Sequence, residues 1–341
     1  MAAAATWIAA LRPKTLAAGA VPVAVGTLLA RPPGEVAWGP AGLALAGALL
    51  LQIGCNFANE LGDAARGADT PDRLGPTRAV AAGLIAPAAM RAAMLAVFAL
   101  AILVGLALAL HAGWPILAIG AVSVAAALAY TMGPYPLAYR GLGEPFVLLF
   151  FGLVATLGAA WVQVAPLAER LAPALAMADR LGEALARIVG QEPDLGDVLA
   201  RQAERAWALL PWWTTALAIG VQACVLITVN NLRDLATDAP AGKRTIAVRL
   251  GEARTRVLLV AMLAAAPALW ALAAAVALPG PARALGLAEP GWLPAVVAAV
   301  AGIGLALLLR RARGAALNRV LALAGAALLA TGIAACASLW R

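Results

Sequence analysis

The chain is organised around nine apolar runs, each close to the ~20 residues that a membrane-spanning helix needs. They lie at roughly Thr15–Ala30, Gly39–Ala58, Ala88–Leu110, Ala112–Met132, Pro145–Val164, Leu210–Val229, Val257–Leu278, Trp292–Leu309 and Ala315–Leu339. Runs of this length that are rich in Ala and Leu favour spanning helices over the short alternating strands of a membrane barrel. Because 64% of the residues are hydrophobic and only 12% are charged, the sequence predicts an all-α, polytopic membrane protein. We expect residues 1–341 to form a single domain.

The distribution of Lys and Arg predicts how the chain is oriented in the membrane. With a cytoplasmic N-terminus, seventeen of the 25 Lys and Arg residues fall in cytoplasmic segments, and five of the other eight lie in one long outside loop. Cytoplasmic loops of membrane proteins are enriched in these two residues. We therefore expect the N-terminus in the cytoplasm. The net charge of +8 reflects this topology and does not indicate nucleic acid as a partner.

The long outside loop, Ala165–Leu209, separates the fifth and sixth predicted spans. Its segment "LAERLAPALAMADRLGEALARIVG" has apolar residues at helical spacing, with charged residues on the other face. This pattern predicts an amphipathic helix that lies on the outer membrane surface or caps the bundle. No motif in the loop suggests chemistry, so we expect its role to be structural.

Two polar stretches follow apolar runs on the predicted cytoplasmic side. "NELGD" at Asn59–Asp63 and "NNLRD" at Asn230–Asp234 both read N-x-L-x-D. The Asn and the Asp of each stretch are four residues apart and so share one face of a helix; Asp238 follows Asp234 at the same spacing. Because the two stretches match in sequence, side and depth, we expect two related halves that face each other across a cavity.

Clustered carboxylates at this depth predict a cation site. A charged residue at the centre of a membrane costs about 2.5–3.5 kcal/mol on insertion scales, and like charges also repel each other. Oxygen ligands without His or Cys suit magnesium, which shares its coordination shell with substrate phosphates. Asp69 follows the first stretch, and the basic residues Arg78, Lys243 and Arg244 follow the two stretches, as a magnesium-bound diphosphate requires. The alternative is that these basic residues only mark cytoplasmic loops.

Four segments, in this order along the chain, are motifs that can be compared with those of known families: "LRPKTLAAGAVPVAVGT", "NELGDAARGADTPDRLGPTRAVAAGLI", "YTMGPYPLAYRGLGE" and "NNLRDLATDAPAGKRTIAVRLGE". Together they resemble the UbiA superfamily of intramembrane prenyltransferases, and within it the branch that acts on 1,4-dihydroxy-2-naphthoate. The resemblance covers most of the chain but not the Ala165–Leu209 loop. It implies a nine-helix bundle in the bacterial cytoplasmic (inner) membrane, with a central cavity open sideways to membrane lipid and an active site facing the cytoplasm.

The resemblance also implies an activity and its partners. A polyprenyl group passes from polyprenyl diphosphate to 1,4-dihydroxy-2-naphthoate, with loss of CO2 and diphosphate and with Mg2+ as cofactor, giving demethylmenaquinone. The implied metal-binding residues are Asn59, Asp63, Asp69, Asp234 and Asp238, of which all but Asp69 are also expected to be catalytic. The implied substrate-binding residues are Arg78, Tyr130, Tyr139, Asn230, Asn231, Lys243 and Arg244. One position departs from the family pattern, because Glu60 stands where an Asp is usual, and its role stays open.

Two alternatives compete with this interpretation. Within the same family, the acceptor could be another aromatic compound, such as 4-hydroxybenzoate, homogentisate or a tetrapyrrole; "GDAARGAD" and "YRGLGE" favour the naphthoate branch. In a different class, repeated halves and intramembrane acids are also typical of cation-coupled transporters. The acids here lie at helix ends and not at the membrane midplane, and arginines in the neighbouring loops accompany them. We therefore favour the enzyme.

Overall fold

The computed structural model describes residues 3–30, 36–69, 74–166, 177, 180, 195–276 and 291–340, and this part of the chain contains helices and loops but no strand. The helices are α1 (Ala4–Leu11), α2 (Pro13–Leu29), α3 (Trp38–Ala65), α4 (Pro87–Ala112), α5 (Trp114–Thr131), α6 (Gly143–Pro166), α7 (Leu195–Arg233), α8 (Leu235–Asp238), α9 (Ile246–Ala275), α10 (Leu293–Arg311) and α11 (Leu317–Leu339). A short 3-10 turn, Leu137–Arg140, lies between α5 and α6.

The prediction of a polytopic helical membrane protein is confirmed. Among the described residues, eight helices are long and apolar enough to span a membrane. The bent pair of α1 and α2, which meet at 44°, makes a ninth span if the pair counts as one. The bend falls at Arg12, whose left-handed backbone (φ 56°) separates the two helices.

Three helices run further than the sequence predicts, and one of them is α9, which begins at Ile246 and not at Val257. α3 continues to Ala65, past the expected end at Ala58, so the first polar motif lies inside this helix. α7 begins at Leu195 and runs to Arg233, so the C-terminal part of the predicted outside loop is helical and continuous with the sixth span. The predicted amphipathic helix of that loop lies outside the described residues.

The helices enclose a central space. α3 packs against α2, α4 and α5. In a second group, α6 packs against α7, α7 against α9, α9 against α10 and α10 against α11, and α7 also contacts α11. α2 joins the two groups, since it contacts α3 on one side and α11 on the other. Close helix approach at the α6–α7 seam depends on glycine, because a Cβ on Gly152 would lie 2.8 Å from the Cα of Gly220. A π-helical turn, Leu148–Val154, occurs in α6 at this seam.

Several polar contacts between helices lie at one end of the bundle. At this end Arg12, before α2, pairs with Glu60 of α3. Near it the Thr131 hydroxyl, at the end of α5, donates to Asn59 Oδ1 at 2.8 Å. Two further helices meet here through Arg233, whose Nη1 donates to Asn318 Oδ1 at 2.8 Å. The two predicted polar motifs therefore lie at the same end of the molecule.

Candidate active site

A cavity of about 1270 Å³ opens within the bundle. It exceeds the ~300–1,000 Å³ that is usual for small-molecule sites. Its polar lining residues are at the end just described and include Arg12, Lys14, Asn59, Asp63, Arg78, Glu144, Asn230, Asn231, Arg233, Lys243 and Asn318. The rest of the wall is almost wholly apolar and comes mainly from α2 to α6, α7 and α11. Such a cavity fits a molecule with a charged head and a long hydrocarbon tail.

The first motif is organised around Arg78. Its Nη1 donates to Glu60 Oε1 at 3.1 Å, and its Nη2 donates to Asp63 Oδ2 at 3.1 Å. Its Nε donates to Asp69 Oδ1 at 3.2 Å. Asp63 is 1% exposed and Arg78 is 8% exposed, so these ion pairs are shielded from solvent. Charge-assisted hydrogen bonds in such surroundings are strong, and they fix the position of the guanidinium at the cavity wall.

Glu60 links this cluster to the N-terminal helices. Its Oε1 also accepts from Arg12 Nη2 at 3.3 Å, and its Oε2 accepts from the backbone N–H of Val80 at 3.3 Å. The side chain is 2% exposed. Glu60 therefore holds two arginines and a loop in place, which is a positioning role and one that the sequence left open.

Tyr139 and Lys243 connect the first motif with the second. The Tyr139 hydroxyl donates to Asp63 Oδ1 at 2.9 Å. Lys243 Nζ lies 3.6 Å from Asp63 Oδ2 and 4.0 Å from Asp238 Oδ1. One ammonium group thus reaches a carboxylate of each motif, so the two stretches meet at a single site.

The Tyr139 phenol keeps its proton at this site. Burial is the main cause of a raised pKa, and the charge of Asp63 and the hydrogen bond to it raise the pKa further. Arg66, whose guanidinium carbon lies 5.3 Å from the ring centroid, opposes this shift. Because the raised pKa favours the neutral phenol, Tyr139 donates to Asp63 throughout the neutral and moderately alkaline range.

The second motif is organised around Arg233. Its Nε and Nη2 donate to the two carboxylate oxygens of Asp234 at 2.8 and 2.6 Å. Its Nη2 also donates to Asn230 Oδ1 at 2.7 Å. The helix breaks at Asp234, but the 234–238 spacing keeps a helical hydrogen bond, since the Asp238 N–H donates to the Asp234 carbonyl at 2.8 Å. This motif and the first one share a pattern in which an arginine covers a buried carboxylate.

The remaining predicted residues divide into two groups. Tyr130 and Asn231 line the cavity, and Asn231 Nδ2 donates to Glu144 Oε1 at 2.9 Å. Arg244 does not line it: its side chain is exposed, and its backbone N–H donates to the Tyr139 carbonyl at 3.1 Å. The turn at Gly242 (φ 73°) is followed directly by Lys243, whose side chain enters the site, whereas that of its neighbour does not.

The oxygen atoms present fit a hard divalent cation such as Mg2+. Asn59, Asp63, Asp69, Asp234 and Asp238 offer only amide and carboxylate oxygens, which such ions prefer. Within the described ranges no three His, Cys, Asp or Glu side chains converge enough to hold an ion alone. Since Mg2+ commonly uses one or two carboxylates and completes its shell with water and substrate phosphates, this donor set suits an ion that binds together with a phosphorylated substrate.

Several site residues were not singled out from the sequence. Arg66 holds the α5–α6 connection through the carbonyls of Thr131 and Gly133, both at 2.6 Å, and faces the Tyr139 ring. The charge distribution alone gives Arg233 only a cytoplasmic location, although its position within "NNLRD" is a usable signal. Glu144 gave no signal beyond its place at the end of "YRGLGE", because its partners come from a distant helix.

Comparisons with known proteins give a consistent result. A family model described as the UbiA prenyltransferase family matches residues 20–329. A Mycobacterium tuberculosis protein called 1,4-dihydroxy-2-naphthoate octaprenyltransferase is 37% identical over 300 residues, which is 85% of this chain and 88% of that protein. An Escherichia coli protein of the same name is 36% identical over 256 residues, 73% of this chain and 70% of that protein.

Solved structures show the same fold. A UbiA homolog from Archaeoglobus fulgidus bound to DMAPP and Mg2+ superposes with a TM-score of 0.58 at 14% identity, over 97% of this chain and 99% of that one. An apo UbiA homolog from Aeropyrum pernix K1 gives a TM-score of 0.58 at 19% identity, over 95% and 96% of the two chains.

Proposed function

Because the chain belongs to the UbiA prenyltransferase family, we propose that it transfers a polyprenyl group from polyprenyl diphosphate to 1,4-dihydroxy-2-naphthoate. CO2 and diphosphate are lost, and demethylmenaquinone is formed in its reduced, quinol state. The strongest support for this acceptor is that five relatives at 28–37% identity carry the name 1,4-dihydroxy-2-naphthoate octaprenyltransferase. The observation in the structure that supports the reaction class is the joint site of both polar motifs around Lys243.

In this proposal the diphosphate binds at the polar end of the cavity. Arg78 and Lys243 donate to its oxygens, exchanging carboxylate partners for phosphate ones. Asn59, Asp63, Asp69, Asp234 and Asp238 would hold Mg2+, which when bound would supply positive charge to the diphosphate leaving group. Arg244, whose side chain is exposed, contributes through its backbone bond to Tyr139 and not through its side chain.

The protein groups around Asp63 orient the reaction. Tyr139 holds one oxygen of Asp63, and the face of its ring is flanked by Arg66 and by Lys243, whose Nζ lies 5.3 Å from the centroid. Fixed donors that meet charge as it develops lower the barrier for loss of diphosphate. The apolar wall beyond them keeps water away from the allylic carbon, so the aromatic ring is the available nucleophile.

The remaining features of the proposal concern the membrane. The basic residues of the polar end point to the cytoplasmic side of a bacterial inner membrane, with the N-terminus and the active site on that side. The hydrocarbon tail lies along the apolar part of the cavity, in contact with lipid. Residues 1–341 act as one domain, with the 165–209 segment as a structural addition.

An acceptor panel tests this proposal. Membranes with the protein receive farnesyl or geranylgeranyl diphosphate, Mg2+ and one aromatic acid at a time: dihydroxynaphthoate, 4-hydroxybenzoate or homogentisate. We expect a prenylated product with dihydroxynaphthoate that disappears with EDTA. Product from another acid alone would assign a different acceptor, and ion-driven uptake without prenylation would support a transporter.

A further inference from the structure

Glu144 is the exception among the buried carboxylates of the site. Glu60, Asp63, Asp69, Asp234 and Asp238 each lie within 4.0 Å of an arginine or lysine nitrogen. For Glu144, no such partner occurs among the described residues, although its side chain lines the cavity and is only 4% exposed. An acid kept in a membrane protein under these conditions is costly and points to a function.

The two oxygens of this carboxylate differ. Oε1 accepts from Asn231 Nδ2 at 2.9 Å, and Thr228 Oγ1 lies 3.4 Å away but is closer, at 2.8 Å, to the Cys224 carbonyl. Oε2 is buried and has no hydrogen-bond partner in the described part of the protein. A buried acceptor without a donor carries a desolvation penalty, which a ligand that brings a donor removes.

The surroundings of Glu144 suit a flat aromatic ring. The absence of a side chain at Gly143 lets the Tyr130 hydroxyl approach the backbone next to Glu144. A Cβ added at Gly143 would lie 3.0 Å from that hydroxyl oxygen. Phe146 and Phe150 line the cavity along the same helix, with ring centroids 5.6 Å apart and planes inclined by 25°. Aromatic side chains that line the same cavity as an unsatisfied polar acceptor favour an aromatic ligand with a hydroxyl group.

The chemistry of the two proposed substrates then selects between them. Polyprenyl diphosphate brings negative charge and a hydrocarbon tail, neither of which donates a hydrogen bond to a carboxylate. Dihydroxynaphthoate brings two ring hydroxyls, and each is a donor. We propose that Glu144, by a small rotation that turns Oε2 into the cavity, accepts a hydrogen bond from a ring hydroxyl of the aromatic acceptor, with Glu144, Tyr130 and Phe146 as part of the wall of the acceptor subsite. This assignment rests on the proposed prenyl transfer.

The hydrogen bond has a consequence for reactivity as well as for affinity. A carboxylate that accepts from a ring hydroxyl strengthens electron donation from that oxygen into the ring, and so favours attack by the ring carbon. Asn231, which fixes Oε1, is three residues before Asp234. The acceptor subsite is therefore tied through Asn231 to the same helix end as the second motif.

The assignment is tested by removing the Glu144 carboxylate and one ligand hydroxyl, separately and together, and comparing the binding affinities. Purified full-length wild type and Glu144→Gln are titrated, without prenyl donor, with dihydroxynaphthoate and with 1-hydroxy-2-naphthoate and 4-hydroxy-2-naphthoate, which each lack one hydroxyl. We expect wild type to bind dihydroxynaphthoate about 10–100-fold more tightly than one analogue, the range for loss of a hydrogen bond to a buried charged group. In Glu144→Gln this ratio should fall to about twofold.

Controls separate this inference from general damage and from the proposed function. Glu252→Gln changes a carboxylate that is 46% exposed and paired with Arg256 and Arg313, and it should keep the wild-type ratio. If Glu144→Gln does not fold, Glu144→Asp replaces it in the experiment. The Asp side chain is one methylene shorter, which moves the carboxylate oxygen away from the ligand and should also reduce the affinity ratio. An unchanged ratio in a folded Glu144 variant, or a raised Mg2+ requirement with unchanged acceptor binding, overturns the inference. Failure of wild type to prenylate any acid overturns the proposed function instead.

Discussion

At the scale of single residues, Asp63 is the side chain through which several separate parts of the chain make contact. It accepts from Arg78 and Tyr139 and lies beside Lys243. Three independent elements, the loop after α3, the α5–α6 connection and the turn before α9, converge on this one carboxylate. Under the proposed function, a change here acts on metal binding as well as on the positions of the phenol and the ammonium.

Asp63→Asn should remove nearly all prenyl transfer while the protein still inserts and folds. The amide keeps the shape but loses the charge that binds a cation, and loss of such a group typically costs about 100-fold or more in turnover. Tyr139→Phe, which removes only the hydroxyl bond to Asp63, should cost about tenfold or less. Product formation per folded protein measures both, and turnover in Asp63→Asn near the wild-type level would contradict its role as a ligand.

Glu60 allows a test that separates a metal ligand from a positioning residue. Glu60→Gln weakens the contacts with Arg12 and Arg78, so the KM for prenyl diphosphate should rise several-fold and the thermal stability should fall. The Mg2+ concentration for half-maximal activity should stay within about twofold, because in this structure the carboxylate holds arginines. A strong shift in the Mg2+ requirement would show that Glu60 is a ligand after all.

At the scale of helices, contacts across the first motif depend on the small size of Gly62. A Cβ at this position would lie 2.7 Å from the Thr131 carbonyl oxygen, which is backbone and cannot move aside. The close approach of α3 and α5 also brings the Thr131 hydroxyl to Asn59. The glycine in "NELGD" is thus a packing requirement of the site.

Gly62→Ala should therefore lower both stability and activity. Overpacking against backbone costs about 1–3 kcal/mol, which should appear as a clear fall in melting temperature in detergent. Gly105→Ala is the matched control, since this helical glycine has nothing within 4 Å of the added methyl. Its melting temperature should be unchanged or higher, because alanine is the better helix former. Equal effects of the two changes would remove the packing argument.

Helices were the part of this molecule that the sequence could predict well. Bilayer thickness sets the length of an apolar run, and this made the spans visible without any tertiary information. Their polar ends were less accurate, because Asn59 to Asp63 continue α3 once buried partners satisfy their side chains. The break at Arg12 depends on one left-handed residue, and it is marked in the sequence only by Pro13, which begins the next helix.

At the scale of the whole molecule, the repeated N-x-L-x-D stretches predicted that two distant segments share one end of the bundle. What could not be predicted was which side chains of that end face inward. Lys243 and Arg244 are neighbours with the same charge, but only Lys243 reaches Asp63. Glu144 likewise depends on the packing of α6 against α7, a contact between residues 87 positions apart.

Removal of divalent ions tests the site as a unit. Chelation should abolish prenyl transfer, and added Mg2+ should restore it, because a diphosphate leaving group needs neutralisation that Arg78 and Lys243 alone do not supply. The apparent KM for prenyl diphosphate should also fall as free Mg2+ rises. Transfer that persists in excess EDTA would contradict a metal-dependent reaction.

The contrast between the two ends of the cavity has a consequence for turnover. Under the proposed reaction, the donor enters with an ionic group that the basic side chains grip, while its chain rests against aliphatic walls. Departure of diphosphate and CO2 strips every ionic group from the joined molecule, so the quinol product leaves nothing for those side chains to hold. The hydrophobicity of the product alone then drives its partition into the surrounding lipid, and the enzyme releases the product without a dedicated exit mechanism.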